Sequence, residues 1–246
     1  MSVPTQINFL QLRNDRQKHN NQVVFDAINE KNMETIMANT NPKAIERVII
    51  ESNHTSLEHM IETCNSDDIQ KLKHSNKRLL SMLISKTASR QGSRDETTQI
   101  QVCHNTCAPY NIYIENLNAT DFRPTKNGRI ISKETMKDEK ITKDQCLKSF
   151  DGRISGSING WIFAKVVFTS GGHQDNVFEE ADTLCAWVET YKKDTTEIYV
   201  ILIDTDLSTK CNILKEKYKN VSNIWIVNHV EFQQKMIDMH TKIGNV

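Results

Sequence analysis

The residues with the clearest potential for chemistry are one aspartate and one lysine in two neighbouring segments. Asp151 precedes a glycine, and Lys165 lies within the apolar run of residues 161–168. The Gly- and Ser-rich stretch 155–160 between them is typical of a hairpin turn, which would bring the two side chains together. A carboxylate can hold Mg²⁺, and a nearby lysine can orient an attacking water or stabilise developing charge. The pair therefore suits hydrolysis of a phosphodiester.

Each of these two residues alone also has an ordinary structural explanation. An Asp-Gly pair is a common turn signal, and a lysine in a strand is usually a surface charge. Lys165 differs because apolar residues flank it on both sides. This predicts an ammonium in a buried strand, where carboxylate partners are needed. We therefore interpret Asp151 and Lys165 as a functional pair.

The first part of the chain must supply helices. Apolar residues recur at helical spacing over residues 20–86, and turn-forming residues such as Asn41-Pro42 divide this region into several short helices. Residues 81–102 predict one continuous helix, with Gly92 inside it. We expect residues 1–80 to form an N-terminal helical region that dimerises or embraces DNA, and residues 81–246 to form a catalytic core.

The second part of the chain predicts a sheet with flanking helices. Residues 111–148 are polar and predict short strands around a basic turn at 121–129. Beyond them, β-branched and aromatic segments predict strands at 146–150, 160–169, 197–203 and 224–227. Helical spacing predicts helices at 175–192, 207–218 and 230–243. A hairpin followed by helix, strand, helix and strand predicts an α/β fold, with a mixed central sheet and helices on its faces.

The hairpin with its lysine resembles the core of the PD-(D/E)XK nucleases. The segment Thr169-Ser170-Gly171-Gly172-His173-Gln174-Asp175-Asn176 after it is similar to a loop of type II restriction enzymes, and the resemblance covers residues 81–206. It implies a restriction-endonuclease-like fold and Mg²⁺-dependent, site-specific cleavage of double-stranded DNA. A two-fold homodimer would match the symmetry of a palindromic site.

The chain departs from the pattern of that family at Phe163, because a Glu or Gln usually stands two residues before the lysine. A second metal-binding carboxylate must then come from elsewhere. Glu179 follows Lys165 with thirteen residues between them, which is similar to restriction enzymes that supply this carboxylate from the next helix. Glu96 resembles the helix glutamate that many members direct at the same metal. Gln174 is a weaker candidate, and Glu180 is the fallback.

The resemblance also implies a role for each residue of the site. Mg²⁺ would be held by Asp151, by Glu179 or Glu96, and by the carbonyl of Ala164, while Lys165 would assist the attacking water. Arginine and glutamine match base edges, and lysine suits phosphates. The candidate DNA contacts form three groups, namely Arg90, Gln91 and Arg94, then Arg123, Lys126 and Arg129, then His173, Gln174 and Asn176.

Composition sets wider limits on the function. The formal net charge is +0, so a polyanion partner must be bound by local basic patches. No segment approaches the ~18 uninterrupted apolar residues of a membrane span, and the first twenty residues lack a signal-peptide pattern. We expect a soluble, cytoplasmic protein whose six cysteines stay free. Cys103-His104-x-x-Cys107 lacks the second ligand pair that zinc requires.

Two other functions stay open at this stage. A non-catalytic nucleic-acid or protein-binding module could keep the nuclease scaffold after losing the acid at position 163. A small-molecule enzyme could instead use Asp204 and Asp206, which follow an apolar strand. For this pair a turn is favoured, with Asp206 as the N-cap of the next helix.

Overall fold

The computed structural model describes residues 3–63, 77–87, 92–118, 121–168 and 172–243. The chain divides into two compact units, one formed by Asn8–Gln91 and the other by Met1–Ile7 together with Gly92–Val246. The predicted boundary at residue 80 falls inside the helix Lys77–Ile84. That helix stays with the first unit because Leu80 and Ile84 are fully buried in its apolar core.

The first unit is helical, as predicted. Its described helices are α1 (Phe9–Asn29), α2 (Met33–Asn39), α3 (Pro42–Ser52), α4 (Leu57–Thr63) and α5 (Lys77–Ile84). Asn41 caps α3 by accepting a hydrogen bond from the Lys43 amide, and Asn53 ends it in the left-handed conformation at φ 58°. These are the expected positions for asparagine at both ends of a short helix.

The prediction of one continuous helix over residues 81–102 is wrong. Helix α5 ends at Ile84, and Ser85 forms an isolated antiparallel bridge with Thr40. The amide of Lys86 then donates to the carbonyl of Asn39. Pairing with residues 39–40 thus uses backbone groups that a continuing helix would need. The next helix, α6 (Gly92–Cys107), begins at the glycine, so that glycine does not interrupt a helix.

The second unit contains the strands. In chain order the elements after α6 are β1 (Ile112–Asn116), β2 (Phe122–Pro124), β3 (Ile130–Ser132), α7 (Lys133–Asp138), β4 (Gly152–Gly156), β5 (Gly160–Val167), α8 (Gly172–Tyr191), β6 (Ile198–Thr205), α9 (Ser208–Lys217), β7 (Ile224–Val227) and α10 (His229–Ile243). The predicted strand at 146–150 is wrong. Cys146 forms an isolated bridge with Thr125, and the amides of Leu147 and Phe150 donate to carbonyls of β2, but no strand ladder forms. Phe150 is nevertheless buried against Trp161. Burial of an aromatic side chain, without a ladder, explains the misleading pattern.

The sheet has five strands in the order β1-β4-β5-β6-β7. Strands β1, β4 and β5 are antiparallel neighbours, whereas β5, β6 and β7 run parallel. Strands β2 and β3 form a separate hairpin around the basic turn. This is the mixed sheet that the element order predicted.

Helices cover both faces of the sheet because side chains alternate along each strand. On one face, Phe163 and Ile201 pack with Leu184 of α8. On the other face, Ala164 and Leu202 pack with α6 and α10. Within the part of the chain that the structure describes, no helix has the length and apolar character to cross a membrane.

Candidate functional site

The hairpin of β4 and β5 fixes the position of Asp151. The amide of Asp151 donates to the carbonyl of Ile162 at 2.8 Å. Its carboxylate Oδ2 accepts from the amide of Ala164 at 2.9 Å. Both the main chain and the side chain of Asp151 are therefore tied to β5, the strand that carries Lys165.

Lys165 is surrounded by three oxygen atoms. Its Nζ lies 3.0 Å from Glu96 Oε1, 3.1 Å from Asp151 Oδ2 and 2.7 Å from the carbonyl oxygen of Ala164. The side chains of Lys165, Glu96 and Asp151 are 18%, 21% and 19% exposed. An ammonium has three donors, and each of these has an acceptor here.

Glu96 comes from α6, a long way from the hairpin in sequence. This helix packs against β1, β5 and α10, and its residues Ile100 and Cys103 enter the core on the α6 face of the sheet. Glu96 lies one turn before Ile100, near the start of the helix, and so reaches the end of β5. Of the two replacements predicted for the missing acid, the structure brings Glu96 to Lys165.

Burial sets the protonation of this cluster. Burial raises the pKa of Glu96 to about 7, although the Lys165 ammonium opposes the rise. Burial also raises the pKa of Asp151, against the Lys165 ammonium and the Ala164 amide. Burial alone would lower the pKa of Lys165, but the charges of Asp151 and Glu96 outweigh this and raise it. The lysine is thus held in its charged form and Glu96 titrates near neutral pH.

The oxygen atoms around Lys165 suit a hard cation. Two carboxylates and a main-chain carbonyl already surround a positive charge at hydrogen-bonding distance. Mg²⁺ usually takes one or two carboxylates and keeps several waters, so this donor set is sufficient for it. Among the described residues, no group of three or more His, Cys, Asp and Glu side chains is arranged to hold a metal ion.

Phe163 takes no part in this polar cluster. Its side chain is 1% exposed and belongs to the apolar layer that packs against α8. The Lys165 ammonium lies 4.8 Å from the centre of its ring, a distance at which the cation and the aromatic face attract each other. The position two residues before the lysine therefore contributes core packing and an aromatic surface to the ammonium.

Among the glutamates of helix α8, Glu180 lies where its charge acts on Asp151. Glu179 is exposed, and Glu180 is partly buried and paired with Lys148 at 3.1 Å. The charge of Glu180 adds to the rise in the pKa of Asp151 that burial causes. Glu180, the fallback in the sequence analysis, is therefore electrostatically coupled to the site.

An open groove of about 620 Å³ runs beside α8. It is lined by Arg123, Lys143, Cys146, Leu147, Lys148, Asn176, Glu179, Glu180 and Thr183. Three cations and two acids thus line the groove, and one of the acids is the Glu180 that acts on Asp151. The positive charge of the groove therefore lies near the acidic cluster.

The predicted DNA contacts differ in their exposure, in their partners and in whether the structure describes them. Arg123 and Asn176 line the groove, and Lys126 and Arg94 are exposed. Arg129 forms two hydrogen bonds of 2.7 Å with Glu139, so part of its donor capacity is already used. The remaining predicted contacts are outside the described residues or have side chains that are not described, namely Arg90, Gln91, His173 and Gln174.

The Cys-His-x-x-Cys cluster is not arranged as a metal site. Cys103 and Cys107 are buried free thiols, and burial raises the pKa of both. The ring of His104 accepts a hydrogen bond from the amide of Ile114 through Nδ1.

The second pair of acids is not an open site. Asp204 lies in β6 and is buried, and Asp206 is not the N-cap of α9, since Leu207 occupies that position. The prediction for Asp206 is wrong because β6 extends to Thr205, whose hydroxyl accepts from the Leu207 amide. Asp204 instead bonds to Gln99 and His229. No local sequence pattern indicated either partner, although Gln99 stands three residues after Glu96, on a related face of α6.

Comparisons with known proteins leave the family of this chain undetermined. No protein-family model, no curated protein and no solved structure matches it. The function must therefore be argued from the site.

Proposed function

We propose that this protein is a Mg²⁺-dependent endonuclease that cleaves double-stranded DNA site-specifically, with the restriction-endonuclease-like fold of the PD-(D/E)XK nucleases. One observation carries the proposal: the Lys165 ammonium lies within 3.1 Å of oxygen atoms of Glu96, Asp151 and Ala164. This combination of one lysine, two acids and a strand carbonyl is what metal-assisted phosphodiester hydrolysis requires.

Each residue then has a defined role. Asp151, Glu96 and the carbonyl of Ala164 would hold Mg²⁺, which when bound supplies positive charge to the phosphate and acidifies water. Lys165 orients the attacking water or stabilises charge on the phosphate. Burial of both acids keeps bulk water out and strengthens these interactions. Glu180 is one candidate for a further ligand, because its charge already acts on Asp151. Glu179, the replacement predicted beside Glu96, stays a second candidate.

DNA would reach this site along the groove beside α8. Arg123, Lys143 and Lys148 supply positive charge for phosphates, and Asn176 supplies an amide for a base edge or the backbone. We infer that the protein acts as a homodimer, since a two-fold axis would match a palindromic site and provide one site for each strand.

Plasmid cleavage tests the proposal. Supercoiled DNA is incubated with Mg²⁺ or with EDTA, and the ends of the products are sequenced. The Lys165→Ala and Asp151→Ala proteins should lose cleavage by about 100-fold or more. Lys217→Ala is the matched control, because it also removes a lysine–aspartate pair, at 2.6 Å from Asp182, on helices α8 and α9. Undiminished cleavage by the Lys165→Ala protein would contradict the proposal.

The second candidate is a nucleic-acid-binding module without catalysis. Phe163 favours this candidate, because its buried ring occupies the position where the PD-(D/E)XK nucleases usually have Glu or Gln. Binding of mixed DNA sequences without any metal-dependent nicking would select this alternative. Cleavage that depends on both Mg²⁺ and Lys165 would exclude it.

A further inference from the structure

Beside the proposed site lies a second, fully enclosed polar cluster around Asp204 of β6. Asp204 is 7% exposed. Its Oδ2 accepts from Gln99 Nε2 at 2.6 Å, and its Oδ1 is 2.6 Å from His229 Nδ1. A buried carboxylate is destabilising unless donors surround it, so these short contacts fix the positions of both partners.

Gln99 connects this cluster to the strand that carries the lysine. Its side chain is on α6 and is fully buried. Besides Asp204, its Nε2 lies 3.3 Å from the carbonyl of Leu202 and 3.5 Å from the carbonyl of Lys165. One side chain of α6 thus contacts both β5 and β6, including the main chain of Lys165 itself.

The hydrogen bonds that Gln99 Nε2 donates determine the orientation of its side chain. Its Oε1 has no hydrogen-bond partner, which is unfavourable for a buried acceptor. An apolar residue would avoid this cost, so core packing alone does not account for a glutamine here. The amide hydrogens directed at Asp204 and the strand carbonyls account for it.

The other side of Asp204 is fixed in the same way. His229 Nε2 accepts from the amide of Ile7 at 2.9 Å, so the ring carries its hydrogen on Nδ1 and donates it to Asp204. Asp204 therefore cannot turn away from Gln99 without breaking the bond with His229. The chain of contacts from Ile7 through His229 and Asp204 to Gln99 is continuous, and the last three of these residues are buried.

We propose that Gln99 and Asp204 are positioning residues for Glu96. Glu96 and Gln99 are one turn apart on α6, so the bond between Gln99 and Asp204 sets the depth and rotation at which Glu96 meets Lys165. The metal-binding consequence of this inference rests on the proposed function. The positioning of Glu96 does not, because it concerns the folded chain without metal.

Mn²⁺ binding measured by calorimetry, without DNA, tests the inference. Gln99→Met keeps the length of the side chain but removes the donors, and should weaken Mn²⁺ binding about tenfold or more. Asp204→Leu, which removes the acceptor of Gln99, should weaken Mn²⁺ binding in the same way.

Thr106→Val is the matched control. Thr106 is also on α6 and buried, and its hydroxyl donates to Gln233 Oε1 at 2.6 Å. The substitution removes a buried hydrogen bond from the same helix, far along it from Glu96. It should lower the melting temperature as Gln99→Met does, yet leave Mn²⁺ binding unchanged.

A second measurement is independent of metal. Titration of the Glu96 carboxyl carbon by nuclear magnetic resonance should give a pKa of about 7 in the wild-type and Thr106→Val proteins. In the Gln99→Met protein the pKa should fall toward 4.5, as Glu96 leaves its buried position. If this pKa moves but the wild type binds no Mn²⁺, the proposed function fails and the positioning stands. If neither the pKa nor the Mn²⁺ affinity responds to Gln99→Met and Asp204→Leu, the inference is overturned.

Discussion

The raised pKa of Glu96 makes the stability of the second unit depend on pH. Its carboxyl has a pKa of about 7 in the folded protein, against 4.5 for a free glutamate. The folded state therefore binds this proton more tightly than the unfolded state, and the free energy of unfolding falls as the pH rises through this interval. A rise from 4.5 to about 7 corresponds to about 3 kcal/mol. Glu96→Gln should remove this loss, because the amide does not ionise.

Urea unfolding followed by tryptophan fluorescence measures the effect. The chain has three tryptophans, Trp161, Trp187 and Trp225, and all of them lie in the unit that contains Glu96. The fluorescence change therefore reports on that unit and not on Asn8–Gln91. In EDTA, the wild type should lose about 2–3 kcal/mol relative to the Glu96→Gln protein between about pH 5 and pH 8.

Glu115→Gln is the control for this experiment. Glu115 is an exposed residue of β1 in the same unit, so its carboxyl keeps its water in the folded protein. Its substitution should leave the difference in stability between the two pH values as it is in the wild type. If the Glu96→Gln protein shows the same pH dependence as the wild type, burial of Glu96 has no energetic consequence and the prediction is wrong.

Three further predictions concern the lysine, the phenylalanine and the groove. Lys165→Met should abolish cleavage. The Lys165→Met protein should nevertheless bind Mn²⁺ more tightly than the wild type at alkaline pH, because no ammonium competes with the ion for the three oxygen atoms. Weaker Mn²⁺ binding in calorimetry would contradict this. Phe163→Glu should lower the free energy of unfolding by about 3–5 kcal/mol in urea, since it places a charge in an apolar layer. Arg123→Ala should make the slope of log K for DNA binding against log salt concentration shallower by about 0.9, the value for one phosphate contact, in a fluorescence titration. Arg129→Ala should change this slope less, because Glu139 already binds that side chain.

The sheet and its helices were largely predictable because each element there has a strong local pattern. The strand at Ile224–Val227 was predicted with its observed bounds, and β5, β6, α8, α9 and α10 differ from prediction by a few residues. The errors arose where tertiary contacts override local pattern. The pairing of Ser85 with Thr40 ends a helix that propensity alone would continue, and Phe150 is buried from an irregular segment.

The lysine and one acid of the site were predictable because a hairpin brings residues together that are close in sequence. Lys165 Nζ lies 3.1 Å from Asp151 Oδ2, so the hairpin brings the two side chains together as predicted. The choice between Glu96 and Glu179 could not be made in the same way. It depends on how deeply α6 and α8 sit against the sheet, and this is decided by contacts between distant residues.

Phe163 shows why the proposed metal site would take its second acid from a helix. Residues 163 and 165 are on the same face of β5, and that face is covered by the apolar side chains of α8 around residue 163. A carboxylate there would have to be buried among Leu184 and Ile201, without the water that Mg²⁺ retains. Glu96 approaches from α6, at the end of β5, where the Lys165 side chain leaves the apolar layer and is 18% exposed. A carboxylate supplied from this direction can meet the ammonium and Asp151 while the core behind them stays apolar. A phenylalanine at position 163 is therefore compatible with the proposed cation-binding cluster, provided that α6 is held in register by Gln99.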